Sequence, residues 1–294
     1  MDRLQLPAGG RDHLVLVRGP EPATTVDPPL ILLLHGSGGD PRAALEMSGI
    51  LDVAPSAGFV VAAPQAPTPV RTGDDRPVGG WSWAVPGVPH LDGTPATNRD
   101  DVRMILDLAD AVSDRFDTSG GVYLVGFSGG ARMASAVALA APHRVAGLGA
   151  VSGLRAGRAG GPGLRAPATA GHRADRPVPV IAFHGTEDPV NPVSGDGLPR
   201  WGYSVEDAAR TWASRNGLSP LADPSRVAGH VVRHRYGAGT PGEVQLHLVE
   251  GGGHTWPGGA AGDPRLGTPT REVSASALIV TFFGAIARLR TSTD

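Results

Sequence analysis

The sequence predicts an α/β fold with a mostly parallel central sheet and helices on both of its faces. Short apolar runs bounded by turn residues alternate along the chain with longer stretches of helical spacing. Several runs are apolar throughout, which is typical of strands covered on both faces. Glycine and proline, 43 and 28 of the 294 residues, cluster between the runs. We expect one domain over residues 1–294, with loop insertions near residues 65–98 and 153–178.

The candidate strands are β-branched or leucine-rich segments, and the candidate helices carry an apolar stripe. We predict strands at residues 13–17, 30–34, 59–63, 122–125, 147–151, 178–183 and 244–249. We predict helices at residues 100–116, 131–140, 205–215 and 274–289. Because active sites of parallel sheets lie beyond the carboxyl ends of the strands, the loops that follow these strands are the places to search.

Composition excludes several kinds of chemistry. The chain has no cysteine and all 26 of its basic residues are arginine, which excludes cysteine nucleophiles, thiolate metal sites and Schiff-base lysines. The formal charge of −2 offers no basic field, so we expect no nucleic-acid partner. His230 and His234 lie on a strand-like segment where they would not share a metal, and we predict no metal and no cofactor. Without an export signal or an apolar run of membrane-spanning length, we expect a cytoplasmic protein with no membrane partner.

The motif that carries the chemistry is Gly-x-Ser-x-Gly at residues 126–130, between a predicted strand and a predicted helix. This context is typical of a nucleophile elbow, a sharp turn that exposes a serine above the sheet. Gly126 and Gly130 would let the strand and the helix approach each other closely. The helix N-terminus would also stabilise negative charge near Ser128. We predict Ser128 as the nucleophile; the alternative is a glycine-rich turn with a buried serine.

A serine hydroxyl requires a histidine to accept its proton and a carboxylate to orient that histidine. The predicted strand at 178–183 runs into a polar loop that contains Asp188, and the proline after Asp188 favours an extended or turn conformation. We predict Asp188 as the acid, with its neighbour Glu187 as the alternative. The last predicted strand leads into three glycines and His254. A histidine in such a loop has no local apolar face to pack on, so we predict His254 as the general base.

The loop at residues 35–40 follows a buried strand and matches the HGGG-type element of an oxyanion hole. We predict that the backbone N–H groups of Ser37 and Gly129 bind the oxyanion; the alternative is a tight turn between strand and helix. Trp81, Trp201 and Trp256 lie in or beside predicted loops in a chain that is only 5% aromatic. They are predicted either to line an acyl or aromatic pocket or to cover the core.

Together these segments resemble the polyhydroxybutyrate depolymerase-like esterases, and bacterial feruloyl esterases are similar. The resemblance rests on residues 34–40, 126–134, 184–192 and 251–259, and it covers most of the chain from Leu30 onward. It implies an α/β-hydrolase fold and hydrolysis of a small-molecule or oligomeric carboxylic ester, with Ser128, Asp188 and His254 as the matching triad. An acyl thioesterase or peptidase with the same triad, and a non-catalytic ligand-binding protein on the same scaffold, are the alternatives.

Overall fold

The computed structural model describes residues 1–21, 26–71, 77–89, 100–161, 164–167, 169, 171–198 and 200–291. The strands in these ranges are β1 (Asp2–Ala8), β2 (Arg11–Arg18), β3 (Leu30–Leu34), β4 (Val60–Pro64), β5 (Thr68–Arg71), β6 (Pro77–Ser82), β7 (Val122–Phe127), β8 (Gly147–Val151), β9 (Ala159–Gly161), β10 (Leu164–Pro167), β11 (Val180–Gly185), β12 (Asp223–Ala228), β13 (Val231–Tyr236) and β14 (Val244–Val249). The α-helices are α1 (Pro41–Ser48), α2 (Asp101–Phe116), α3 (Gly129–Ala140), α4 (Val205–Arg215) and α5 (Ala275–Thr291).

Ten strands form one mixed sheet in the order β1-β2-β4-β3-β7-β8-β11-β14-β13-β12. The central strands from β4 to β14 are parallel, and antiparallel pairs extend both edges. Strand β3 lies between β4 and β7, so the winding of the chain reverses there. In open sheets of this kind, ligands bind beyond the carboxyl ends of the strands at such a reversal. The topology therefore directs attention to the loops after β3 and β7.

The two faces of the sheet are each covered by helices. Strand β3 shows the division: Leu30, Leu32 and Leu34 belong to one buried cluster, and Ile31 and Leu33 belong to the other. The first cluster includes side chains of α2, α3 and α4, and the second includes side chains of α1 and α5. This is the α/β layering that the apolar runs predict, and it explains why the central strands lack alternation.

The predicted elements match the observed ones closely in the centre of the sheet. Strands 30–34, 147–151 and 244–249 and helix 205–215 have the predicted bounds, and the others differ by at most two residues at either end. The sequence analysis missed β1, α1, β12 and the hairpins β5–β6 and β9–β10. Strand β1 buries only Leu6 and Ala8, so its apolar signal is weak. The two hairpins lie within the segments predicted as loop insertions. None of the described helices has the length and apolar character needed to cross a membrane.

Candidate active site

The turn between β7 and α3 holds Ser128 in a strained backbone conformation. Its φ of 52° and ψ of −116° lie outside the regions that non-glycine residues ordinarily adopt. Such strain costs about 1–3 kcal/mol and persists only where the surroundings determine the conformation. The surroundings here are tight, because a Cβ on Gly130 would lie 2.1 Å from the carbonyl oxygen of Leu34 on β3. Ser128 therefore occupies the predicted elbow, at the carboxyl end of β7 and the amino end of α3.

The loop that follows β3 packs directly against this turn. A Cβ on Gly129 would lie 2.2 Å from Ser37 Oγ and 3.1 Å from Ser37 N. Gly129 is the first residue of α3, where an N–H group has no acceptor within the helix. Within the described ranges, the Ser37 N–H also donates no hydrogen bond to the protein. The structure brings together the two residues predicted to bind an oxyanion, and both of their N–H groups are available to donate a hydrogen bond.

Backbone hydrogen bonds from Trp81 hold the loop of Ser37 in place. The Gly38 N–H donates to Trp81 O at 2.9 Å, and the Trp81 N–H donates to Gly39 O at 2.9 Å. The Trp81 side chain is partly buried and packs against the core. The backbone of Trp81 therefore positions this loop, and a substrate contact by its side chain stays a prediction.

His35 fixes the start of the same loop. Its Nδ1 donates to Gly36 O at 2.8 Å, and its Nε2 accepts from Ala66 N at 3.0 Å. This pair of hydrogen bonds requires the neutral tautomer with a proton on Nδ1. Burial lowers the pKa of His35 to about 4, so the imidazole is uncharged at neutral pH.

Asp188 and His254 meet at the ends of the neighbouring parallel strands β11 and β14. His254 Nδ1 lies 2.7 Å from Asp188 Oδ2, and both side chains are buried. Asp188 Oδ1 accepts hydrogen bonds from Val190 N and Asn191 N, each at 2.8 Å. Burial alone would raise the pKa of Asp188, but the hydrogen bond and charge of His254 and the Asn191 N–H lower it below its usual value. The alternative acid, Glu187, is exposed.

Phe127 links the serine turn to this pair. Its ring centroid lies 4.9 Å from that of His254, and it directly precedes Ser128 in the chain. Within the described ranges, no hydrogen bond joins Ser128 to His254. Catalytic hydrogen bonds of this kind are often long without substrate and shorten in the substrate complex.

The sequence analysis missed three side chains that support the loop of Asp188. His184 Nε2 lies 2.7 Å from Asn191 O and 3.7 Å from Asp188 Oδ2. Asn191 Nδ2 donates to Ser152 O at 2.6 Å, and Arg132 donates to Asn191 Oδ1 at 3.4 Å. His184 and Asn191 lie within the motif at residues 184–192, which could have suggested them. Arg132 lies on α3, and no local pattern connects it to a loop 59 residues away.

The predicted pocket roles of Trp201 and Trp256 need correction. Trp256 is 1% exposed, and its Nε1 donates to Ser276 Oγ on α5 at 3.1 Å. Trp201 is 2% exposed and stacks on His184 with a centroid distance of 5.5 Å. Both indoles thus belong to the packing beneath the acid and base loops, which is the second of the two roles that the sequence left open.

A cavity of 430 Å³ opens beside Ser37 and Phe127. Most of its other lining residues are small or apolar, including Ala43, Met47 and Ala260. Among the described residues, no cluster of three or more histidine, aspartate or glutamate side chains could hold a metal ion. The site therefore offers a hydroxyl, an imidazole paired with a carboxylate, and two available N–H groups next to an apolar recess.

A doubly wound sheet with a strained serine turn next to its winding reversal, and with a paired aspartate and histidine on the loops after neighbouring strands, is an α/β hydrolase. Comparison with protein families agrees. Residues 17–197 match the phospholipase/carboxylesterase family, and the chain belongs to that family. The protein is thus a hydrolase of the esterase kind.

Proteins that are similar to this chain in sequence or in structure are also named as esterases. The protein named "Putative esterase NocK", from Nocardia uniformis subsp. tsuyamanensis, is 28% identical over an alignment of 257 residues, and the match covers 81% of this chain and 68% of that protein. An acetyl xylan esterase from Aspergillus awamori has a TM-score of 0.58 and 17% identity, covering 86% of this chain and 93% of its own. A Bacillus cereus carboxylesterase has a TM-score of 0.55 and 13% identity, covering 93% and 94%. At these identities the two structures show similarity of fold alone.

Proposed function

We propose that this protein cleaves carboxylic esters through an acyl-enzyme intermediate on Ser128, with His254 as the general base and Asp188 as the orienting acid. The observation that carries the proposal is the buried 2.7 Å contact between His254 Nδ1 and Asp188 Oδ2, next to a strained serine turn. A carboxylate on Nδ1 keeps the proton there and leaves Nε2 free to accept one.

In the proposed reaction, His254 Nε2 takes the proton of Ser128 Oγ, and Oγ attacks the carbonyl carbon of the ester. The N–H groups of Ser37 and Gly129 donate to the oxygen that becomes negative. The bond to the alcohol oxygen then breaks, and the alcohol leaves with the proton held by His254. A water molecule, deprotonated by His254, then attacks the acyl-enzyme; the bond between Ser128 Oγ and the acyl carbon breaks, Oγ takes back the proton from His254, and the carboxylic acid is released.

Within this chemistry we propose esters with a compact acyl group, such as the hydroxyalkanoate or feruloyl esters after which the families that the chain resembles are named. The cavity of 430 Å³ beside Ser37 supports a group of this size, and its lining is largely apolar. A panel of 3-hydroxybutyrate oligomers, methyl ferulate, p-nitrophenyl esters, a thioester and an amide would test it. Preference for the thioester or the amide over every ester would contradict the substrate assignment.

Ser128→Ala should lower kcat by about 10⁴-fold or more, because the acyl-enzyme cannot form. The thermal midpoint should change little, since alanine removes only one oxygen atom. The measurement is hydrolysis of p-nitrophenyl acetate, with mass spectrometry after exposure to an organophosphonate. Wild-type protein should gain one covalent adduct on Ser128, and the variant should gain none.

The exposed Ser56→Ala is the matched control and should behave as wild type. Hydrolysis by Ser128→Ala at the wild-type rate would refute the mechanism, and absent labelling of wild type would favour a non-catalytic ligand-binding protein.

A further inference from the structure

Two strained serines lie at the carboxyl ends of neighbouring strands. Among the described residues, the non-glycine residues with a positive φ are Asp27, Asp117, Ser128 and Ser152. The two aspartates are exposed, and aspartate adopts such a conformation more readily than most residues. The two serines are buried, and they directly follow the parallel strands β7 and β8, which pair with each other. The proposed reaction uses Ser128 and gives no role to Ser152.

The main chain around Ser152 contacts the nucleophile turn. The Ser128 N–H donates to Val151 O at 2.9 Å. On the other side of Ser152, a Cβ on Gly153 would lie 2.3 Å from Ser128 O. The chain therefore passes from Val151 to Gly153 directly against the backbone of Ser128, and the positive φ of Ser152 belongs to this close passage.

The main chain of Ser152 also holds the acid loop. Its N–H donates to Phe183 O on β11 at 2.8 Å, and its carbonyl oxygen accepts from Asn191 Nδ2 at 2.6 Å. Asn191 is 0% exposed, and its own N–H donates to Asp188 Oδ1. One buried side chain thus connects Ser152 to the carboxylate that pairs with His254.

The side chain of Ser152 reaches the base loop. Its Oγ donates to Thr255 O at 3.4 Å, and Thr255 directly follows His254. Ser152 is 1% exposed, and its hydroxyl has no other hydrogen bond within the described ranges. A glycine would adopt a φ of 50° without strain, whereas a serine does so at a cost. The contact with the base loop is therefore what the hydroxyl adds at this position.

We propose that Ser152 is a positioning residue for the reaction on Ser128. Its main chain fixes the nucleophile turn and the acid loop, and its hydroxyl fixes the base loop at the same point. In the proposed reaction, His254 exchanges protons with Ser128 Oγ, the leaving alcohol and a water molecule. A small displacement of the base loop would therefore slow every proton transfer. The inference rests on the proposed function.

Two substitutions separate this role from a merely structural one. Ser152→Gly and Ser152→Ala both remove the hydroxyl, but only glycine removes the cost of the positive φ. In steady-state hydrolysis of p-nitrophenyl acetate, both should lower kcat by about 10-fold or more. KM should stay within about 2-fold of wild type, because Ser152 acts through the base loop and not on the substrate. The thermal midpoint of Ser152→Gly should lie about 2 °C above that of Ser152→Ala. The loss of activity should thus follow the hydroxyl and not the stability.

Asp117→Gly is the matched control. Asp117 has nearly the same φ, 51°, and is exposed at the carboxyl end of α2. Glycine is common at such a helix end. This variant should keep the wild-type kcat, which would show that replacing a strained residue by glycine does not by itself slow the reaction.

A wild-type kcat in Ser152→Gly would overturn the inference. If Ser152→Ala alone were impaired, activity would follow stability, and Ser152 would be structural only. A raised KM at an unchanged kcat in both variants would also overturn it, because that pattern indicates a substrate contact. Each of these results leaves the proposed function intact. Absent hydrolysis of every ester by wild type would refute the proposed function, and this inference with it.

Discussion

The two halves of the candidate site are held in place by different forces. In the nucleophile half, formed by the loops after β3 and β7, shape decides: Ser128 has a positive φ, and no atom could be added at Gly130. In the acid and base half, formed by the loops after β11 and β14, hydrogen bonds decide: Asp188 accepts from His254 and from two backbone N–H groups. The first half should therefore be sensitive to added volume, and the second to altered charge.

The histidines of the two halves illustrate the same difference. His35, in the nucleophile half, makes hydrogen bonds only to backbone groups and is kept neutral by burial. His254, in the other half, contacts a carboxylate that is ionised at neutral pH. A neutral imidazole suits a structural support, whereas an imidazole paired with a carboxylate can accept a proton and be stabilised as a cation.

The largest effect should follow from a change of charge in the acid and base half. Asp188→Asn should lower kcat by about 10⁴-fold, because an amide nitrogen facing His254 Nδ1 donates to it and moves the imidazole proton to Nε2. The measurement is steady-state hydrolysis of a p-nitrophenyl ester. Glu187→Gln, the exposed neighbour, is the control and should retain the wild-type rate. A wild-type rate in Asp188→Asn would show that charge is not what this half depends on.

A smaller but still large effect should follow from added volume in the nucleophile half. Gly130→Ala should reduce the free energy of unfolding by about 3 kcal/mol, because its methyl group would lie 2.1 Å from the Leu34 carbonyl oxygen. Urea unfolding measures the loss in the free energy of unfolding. Recovery of the variant only as an aggregate would also agree with a large loss. A soluble variant that loses less than about 1 kcal/mol would mean that the turn adjusts easily and that shape does not control this half.

His35 predicts a pH dependence of stability for the nucleophile half. The pKa of His35 is about 4 in the folded protein and about 6.5 when unfolded, so folding favours the neutral form. Keeping His35 neutral contributes fully to the free energy of unfolding above pH 6.5. This contribution is lost as the pH falls towards 4, at up to about 1.4 kcal/mol per pH unit. Glutamine keeps a hydrogen-bond donor and an acceptor but does not titrate. When the pH is lowered from 6.5 to 5, the free energy of unfolding should therefore fall by up to about 2 kcal/mol less in His35→Gln than in wild type.

Urea unfolding at several pH values measures this difference. His230→Gln is the control: His230 is exposed and bonded to Glu272, and its pKa is raised, so its removal should not reduce the loss in acid. An equal loss in wild type and His35→Gln would show that burial does not keep His35 neutral.

The smallest effect should come from a glycine of the acid and base half. Gly251 has a φ of +69°, but a Cβ there would meet no atom within 4 Å. Gly251→Ala should therefore lower the free energy of unfolding by about 1 kcal/mol, which is the cost of placing a residue with a side chain at positive φ. The same urea titration compares it with Gly130→Ala. Equal losses in the two variants would remove the distinction between the two halves.

The predictions from sequence succeeded where the signal is local or strongly apolar. The buried runs of β3, β8 and β14 were found with their observed bounds because both faces of each strand are covered. Strand β12 was missed because it lies at the edge of the sheet with polar side chains on both faces. Helix α1 was missed because its eight residues form a short pattern, although Asp40 and Pro41 begin it with a cap and a first-turn proline.

The sequence by itself determined the serine turn and the order of the chemical groups along the chain. A turn depends on residues adjacent in the chain, so Gly-x-Ser-x-Gly between a strand and a helix identifies one directly. Only the tertiary structure decided which side chains are buried. Trp201 and Trp256 lie in loops and yet pack in the interior, and Arg132 on α3 contacts the acid loop through Asn191. Burial depends on contacts between segments that are tens of residues apart in the sequence, and these contacts form only when the whole sheet and its helices pack together.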